Sequence, residues 1–444
     1  MQLHKLSMFD ILALVLGSVI GVGAFTLPGS HFLPESGLLG TLLGFLGGGI
    51  AILFILTAYL EMIEFLRQKG VDGGEFSYVS ALLGRKNGFI VGWGLSLCYI
   101  ALVPLNAMAF VLVVRLLLAR EEGFLYLYSL AGQGVYADDI IIASLAILAF
   151  AVLNLCGIKA SVRVQRLISA ALVIVIGGLF IVFCMYGEKT QFVDVYLKDD
   201  PFSFGGVARV LAVTPFLFVG FDIIPQVVTH LGLEKKAIAR VAKAGVGVGA
   251  LCYGLLVTMV ALAYRPEEAK ALSWALGNAV LTYGGHIGFV ALLLGLAAAV
   301  FGGMNGFMIA SSKLLFAMAE EGHLPKFLLH RGRYGVHAGA IVFVTLLSLL
   351  GPWAGRAVIG YIVEMCSFSA ALAYAYVCYL AKKEAKDRKV AIFCTIGFFL
   401  SLGFLLLLLL PFSPAYLSPF ARFFLVVWII LGLFYYLYDR RSKP

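Results

Sequence analysis

The sequence predicts an all-α integral membrane protein with 12 transmembrane helices, the first and the sixth of them interrupted near mid-membrane. Three observations carry this reading: the composition, the spacing of the apolar runs, and the placement of the basic residues. Of 444 residues, 62% are hydrophobic and 13% charged, and the mean hydropathy is +1.00. Soluble domains carry roughly 25% charged residues, so this chain is depleted in the groups that solvate a water-exposed surface. The stretch before the first apolar run is short and no small-residue cleavage site follows that run. It is therefore read as a retained helix rather than a cleaved signal.

Apolar runs of roughly 20 residues, the length that spans a bilayer core, follow one another along the chain. They fall near Phe9–Leu27, Gly37–Met62, Gly88–Leu118, Ile140–Leu155, Leu167–Tyr186 and Val207–Val227. The series continues near Gly245–Tyr264, Ile287–Ala310, Ala338–Pro352, Ala357–Leu380, Val390–Leu410 and Pro419–Tyr438.

The net charge of +9 is distributed by side, which is why it does not point to nucleic acid. With the N-terminus inside, the inner loops collect Arg67, Lys69, Arg85, Lys86, Lys159, Arg163, Lys235, Lys236 and the run from Lys382 to Lys389. The outer loops keep scattered charges such as Arg120, Lys189, Lys198 and Lys270, mostly beside acids. Basic residues orient membrane helices in this way, so both termini are expected in the cytoplasm and the chain in the cytoplasmic membrane. Lipid is then its surroundings, and nucleic acid is not a partner.

Two runs carry breaks at corresponding places. The first holds Gly17-Ser18-Val19-Ile20-Gly21-Val22-Gly23; glycine weakens a helix where lipid demands regularity. The sixth reads Phe216-Leu217-Phe218-Val219-Gly220-Phe221-Asp222-Ile223-Ile224-Pro225. Freed backbone groups are tolerated in a membrane only where they line a cavity or meet a ligand. The two runs lie five helices apart, an odd number, so a repeat of that length is inverted. Paired interrupted helices in two inverted halves mark the binding site of a secondary transporter.

These residues resemble the amino acid–polyamine–organocation (APC) transporter superfamily, in particular its bacterial amino acid permeases. Gly17 to Phe25 is similar to the helix-1 signature, and Phe218 to Asp222 to the helix-6 break. Gly73-Gly74-Glu75-Phe76-Ser77-Tyr78 resembles the stretch between helices 2 and 3, and Ala310 to Lys326 the end of helix 8. The resemblance implies a LeuT-like fold of two inverted five-helix repeats, residues 1–186 and 187–383, with helices 11 and 12 in residues 384–444. It implies a central site whose exposure alternates between the two sides. Ser18, Val19, Ile20, Gly21, Val22 and Gly23 would hold a carboxylate at the positive end of a half-helix. Phe216, Val219 and Gly220 would receive an ammonium, with Phe216 and Phe307 as aromatic gates. Some proton-coupled relatives carry a helix-5 lysine where this chain has Leu172, so a lysine-borne proton switch is not expected.

Ionisable residues inside membrane segments are functional by default. Asp222 is read either as a cap on the inner half of helix 6 or as a proton- or amine-binding group. Glu364 is read as a proton carrier or a hydrated residue at the outer mouth. Ser311 is a candidate oxygen ligand for sodium, against the ordinary role of bonding its own helix. H+ and Na+ are thus the candidate coupling ions. No organic cofactor and no resident metal site are expected, the seven cysteines read as buried small hydrophobes, and no P-loop, zinc-protease or nucleophile-elbow motif is present. With no catalytic residues in view, the chain is read as a transporter of amino acids or related amines rather than an enzyme, working as monomer or homodimer. The alternatives are a polyamine or amino-alcohol carrier, a substrate exchanger, and a transporter-like sensor.

Overall fold

In a computed structural model the structure describes residues 5–118, 120, 122–130, 133–200, 202–272, 274–355 and 359–441. Ser7 and Asp10 form a capping box that starts α1 (Met8–Val19), satisfying amides the first turn leaves bare. The chain breaks at Ile20 and Gly21, then resumes as α2 (Val22–Leu27) and passes through a π-turn, Pro28–Phe32, into α3 (Leu33–Lys69). Within α3, Gly37 adopts φ 69°, a conformation that favours glycine. The amides freed beyond this kink, those of Leu38 and Leu39, donate to the Asp200 carboxylate at 3.0 and 2.8 Å.

The short α4 (Gly74–Leu83) leads into α5 (Arg85–Leu117). An antiparallel hairpin, β1 (Tyr126–Leu130) and β2 (Gln133–Tyr136), pairs Ser129 with Gly134. After it come α6 (Ala137–Leu155), α7 (Ile158–Tyr186), α8 (Lys189–Phe192) and α9 (Phe204–Ala212). The sixth apolar run is fragmented: α10 (Thr214–Phe218) and α11 (Ile223–Gln226) follow α9, separated by a four-residue turn. Then α12 (Lys235–Ala261), α13 (Pro266–Ala271), α14 (Ala275–Glu320), α15 (Ala338–Ser348), α16 (Ile359–Glu384), α17 (Arg388–Leu409) and α18 (Pro419–Arg441) complete the chain.

Among the described residues, 9 helical runs are long and apolar enough to cross a membrane, and Met8–Val19 and Ala338–Ala354 are shorter apolar helices. The first two residues of the tenth apolar run, Ala357 and Val358, lie outside the described residues. Large apolar side chains face outward, among them Phe9, Ile174, Ile287, Phe423 and Phe434. Such a surface suits lipid rather than water.

Helices α1, α5, α7 and α14 pack closely at the centre. Small residues permit the approach: a Cβ on Gly302 of α14 would meet the Gly17 carbonyl oxygen at 2.5 Å. At the periphery α18 docks on α5 through Trp93 and Trp428, stacked with centroids 4.6 Å apart. Each indole N–H donates to the other residue's carbonyl, at 2.9 and 3.0 Å.

Candidate functional site

The two breaks predicted from the sequence meet each other. Gly220 has φ +131°, and a Cβ there would meet the Ser18 Cβ at 2.6 Å and the Val19 amide nitrogen at 2.8 Å. The hydroxyl of Tyr253, on α12, lies 2.9 Å from the carbonyls of both Val19 and Leu217. One tyrosine therefore ties the end of α1 to the end of α10.

Around this junction backbone groups are left open. The first amides of a helix have no intrahelical acceptor, and no side chain caps α2. At the facing end of α10, no hydrogen bond among the described residues ends on the carbonyls of Phe218 or Val219. The Ser18 hydroxyl is buried without a partner. Unpaired buried groups are uncommon, and here amides, carbonyls and a hydroxyl gather within one junction.

Above it lies a cavity of 1390 Å³ lined by Val22, Gly23, Thr26, Phe216, Asn278 and Glu364, reaching exposed Glu35, Arg120 and Gln133 at its mouth. Pockets for small ligands typically enclose about 300–1,000 Å³, so this is a vestibule with room beyond one ligand. Of the residues read from the sequence as substrate-binding, Val22, Gly23 and Phe216 line it. Phe216 crosses from one break to the other, its ring 3.1 Å from where a Gly23 Cβ would stand. Ser18, Val19, Val219 and Gly220 lie buried in the junction, as does Ile20; Gly21 is half-buried. Phe307 is buried on α14 with its ring 6.2 Å from that of Tyr99.

The three candidate ion-coupling residues are not brought together. Asp222 occupies the cap position of α11, yet its side chain makes no capping bond there, contrary to one of the two sequence readings. Its carboxylate turns back to accept from the Gly220 amide at 2.7 Å and from the Tyr99 hydroxyl at 2.8 Å. The positive φ of Gly220 aims that amide inward, and the carboxylate takes it. Glu364 lines the vestibule and accepts from the Ser418 amide at 2.7 Å. Ser311 donates to the Phe307 carbonyl at 2.6 Å, the ordinary intrahelical role. Beside Gly17, Gln165 and Ser169 of α7 reach the Ala13 carbonyl at 3.3 and 2.8 Å. Neutral donors thus occupy the helix-1 carbonyl there, and Leu172 is buried.

Beneath the junction two features went unread in the sequence. Glu75 and Asp222 are both fully buried, and no ion pair among the described residues reaches either. Tyr59 donates to Glu75 at 2.9 Å and Gln226 at 2.8 Å. Asp72, at the same end of the bundle, joins three elements: it accepts from the Thr229 amide and hydroxyl at 2.8 Å each and from the Lys313 ammonium. Burial pushes the Asp72 carboxyl up, but Lys313 and the Thr229 donors outweigh it and hold the group below the usual carboxylate range. Both acids are separated from their partners by more than a hundred residues of sequence on at least one side, which local pattern does not reveal. An acid set between two glycines and an aromatic, as at Glu75, is the one local signal available.

Comparison with known proteins identifies the family. The chain is 28% identical over 350 residues to an arginine/ornithine antiporter of Pseudomonas aeruginosa, covering 76% of this chain and 68% of that protein. It is 25% identical to the branched-chain amino acid permease BcaP of Bacillus subtilis, over 99% of this chain and 94% of that one. It is 26% identical to the serine/threonine exchanger SteT of Bacillus subtilis, over 72% and 69% respectively. These relatives are carriers and not enzymes. The amino acid permease family matches residues 6–435, nearly the whole chain, and the protein belongs to that family of the APC superfamily.

Proposed function

We propose that this multi-pass membrane protein is a secondary active transporter that holds the zwitterion of an amino acid between the two helix breaks. The observation that carries the reading is the junction of α1–α2 with α10–α11 at the floor of the vestibule. Amides of Gly21, Val22 and Gly23, at the break and the uncapped start of α2, with the Ser18 hydroxyl, take the carboxylate. Carbonyls between Phe216 and Gly220 take the ammonium, and Phe216 closes over the substrate. Opposite partial charges at the two helix ends serve a zwitterion without any charged side chain.

In this reading the chain crosses the cytoplasmic membrane 12 times, as two inverted five-helix repeats, residues 1–186 and 187–383, followed by two more helices. Both termini are cytoplasmic, which puts the hairpin and the vestibule mouth outside. The conformation is then open outward. The Asp72–Lys313–Thr229 cluster holds the cytoplasmic side shut and must part for release. Asp222, under the junction and bound to Tyr99, is the coupling group closest to the substrate. Proton coupling is favoured over sodium, because Asp222 and Glu75, the acids beneath the junction, are buried with no ion pair among the described residues.

Thermal unfolding in detergent tests the binding site. L-leucine, L-serine and L-arginine are compared with their decarboxylated amines and deaminated acids. A ligand at a hundred times its Kd stabilises by about 2.7 kcal/mol, so a bound zwitterion raises the melting midpoint. Stabilisation by an amino acid alone supports the reading. Equal stabilisation by the amine moves the substrate to a polyamine or amino-alcohol class with Asp222 as counter-ion, and Asp222→Asn would then abolish it.

A further inference from the structure

We propose that Glu75 is a second proton-binding site of this transporter and reports its charge to the inner part of the broken sixth segment through Gln226. The inference rests on the transport reading above.

The geometry has three parts. First, the Glu75 side chain is wholly buried, and the hydrogen bonds it receives come from neutral groups, the Tyr59 hydroxyl and the Gln226 amide. A carboxylate taken out of water with no cation is costly, and protonation is the ordinary way to remove that cost. Second, Lys313 is committed to Asp72, and no ion pair among the described residues reaches Glu75. Third, the Oε1 of Gln226 is buried and has no hydrogen-bond partner.

The third observation gives the pair two states. Ionised Glu75 accepts from the Gln226 Nε2, the contact that the structure has. Protonated Glu75 has an O–H to place. A half-turn of the Gln226 amide presents Oε1 to the same carboxyl and accepts that hydrogen bond, while Tyr59 continues to donate to the other oxygen. An amide carries a donor and an acceptor at its two ends, so one rotation serves both charge states. Gln226 stands on α11, just beyond the Asp222 turn, so the proton on Glu75 alters a contact of the segment that must move when the cytoplasmic side opens.

The titratable groups facing Glu75 are Tyr59 on α3, Tyr99 and Cys98 on α5, Tyr374 on α16 and Asp222 in the sixth-segment turn. Of these only a carboxyl ordinarily ionises below neutrality. The ring of Tyr59, whose hydroxyl bonds Glu75, lies 4.9 Å from that of Phe221, the neighbour of Asp222 in sequence, with Tyr374 5.6 Å from Phe221. Two carboxyls in one desolvated cluster resist charging together, so a proton on either makes ionisation of the other easier.

The test uses the full-length protein in proteoliposomes with radiolabelled leucine, serine and arginine, comparing wild type with Glu75→Gln. The expected result is loss of the stimulation given by an inside-alkaline pH gradient, while exchange against preloaded substrate is retained. Infrared titration of purified protein provides a second readout, in which a carboxylic-acid carbonyl band that titrates in wild type is missing in Glu75→Gln. If that variant does not fold, Gln226→Leu is used, with a shift in the pH midpoint of the same band expected. Transport by wild type without any pH-gradient stimulation, full stimulation in Glu75→Gln, or an unchanged band in either variant would overturn the role of Glu75 while leaving transport standing. Absence of both uptake and exchange in wild type would instead sink the transport reading.

Discussion

Replacing Gly220 with alanine is the sharpest perturbation of the junction. The backbone there has φ +131°, a region that side-chain-bearing residues rarely occupy, and the new Cβ would stand 2.6 Å from the Ser18 Cβ, 2.8 Å from the Ser18 carbonyl carbon and 2.8 Å from the Val19 nitrogen. Two of these three contacts are with backbone, so no rotamer change relieves them. Holding a non-glycine residue in such a conformation costs about 1–3 kcal/mol, and overpacking a tight site costs about 1–3 kcal/mol more. The expected loss is therefore about 2–6 kcal/mol of stability, or an equivalent displacement of the sixth segment from the first. Gly178→Ala is the matched control: it lies inside α7 with nothing within 4 Å of the added methyl, and alanine in a helix interior is expected to stabilise by about 0.5–1 kcal/mol. Both variants are read by thermal unfolding in detergent and by amino acid binding. Gly220→Ala with wild-type melting and wild-type affinity would refute the claim that the two breaks are pressed together.

Four further expectations follow from the same structure. Asp72→Ala removes the group that joins Lys313 to Thr229, and charge-assisted hydrogen bonds contribute about 1.5–3 kcal/mol each, so labelling of a cysteine placed at Ser312 from the cytoplasmic side should accelerate; unchanged labelling counts against a latch. Because the folded Asp72 carboxyl lies below its usual range, its contribution is complete above the unfolded carboxylate pKa and is lost as pH falls through the lower folded value, so wild-type labelling should accelerate only in acid. His337 is pushed down to about 3 by burial and by Lys313, and its ring stacks on Phe316 with centroids 3.6 Å apart; the unfolded state then binds the extra proton, stability falls as pH drops from the ordinary histidine value toward that figure, and His337→Phe should flatten the decline in a pH-dependent melting series. The Arg115–Asp139 pair is almost fully buried, with side-chain exposures of 5% and 4%, so Asp139→Ala should lower stability by about 3–5 kcal/mol, visible as a lowered melting midpoint.

How much of this was legible beforehand depends on which physical signal each feature leaves. The breaks at Gly17–Gly23 and Phe218–Asp222 stand out because glycine and proline are expensive in the middle of a membrane helix, whatever the tertiary context. That they touch through Gly220 and Ser18 could be expected from the inverted arrangement that the sequence suggests. The direction of the Asp222 carboxylate could not. It turns on the φ of a single glycine, and the cap position alone suggested the opposite side. Glu75, Gln165 and Asp72 escaped notice for a shared reason: each acts through partners on distant helices, and periodicity cannot fix the rotation of helices that are apolar all round. Helix boundaries suffered in a similar way. The seventh apolar run starts near Gly245, yet α12 begins at Lys235, its basic first turns extending past the apolar stretch.

The central claim is that the chain moves amino acids, and uptake by proteoliposomes tests it most directly. Purified protein is reconstituted and offered radiolabelled leucine, serine and arginine, with empty or preloaded vesicles, with and without proton or sodium gradients. Accumulation of at least one amino acid under a proton gradient is the predicted result, and uptake seen only into preloaded vesicles would make the protein an exchanger. Retained binding with no uptake under any of these conditions would contradict the account and leave a sensor built on a transporter fold.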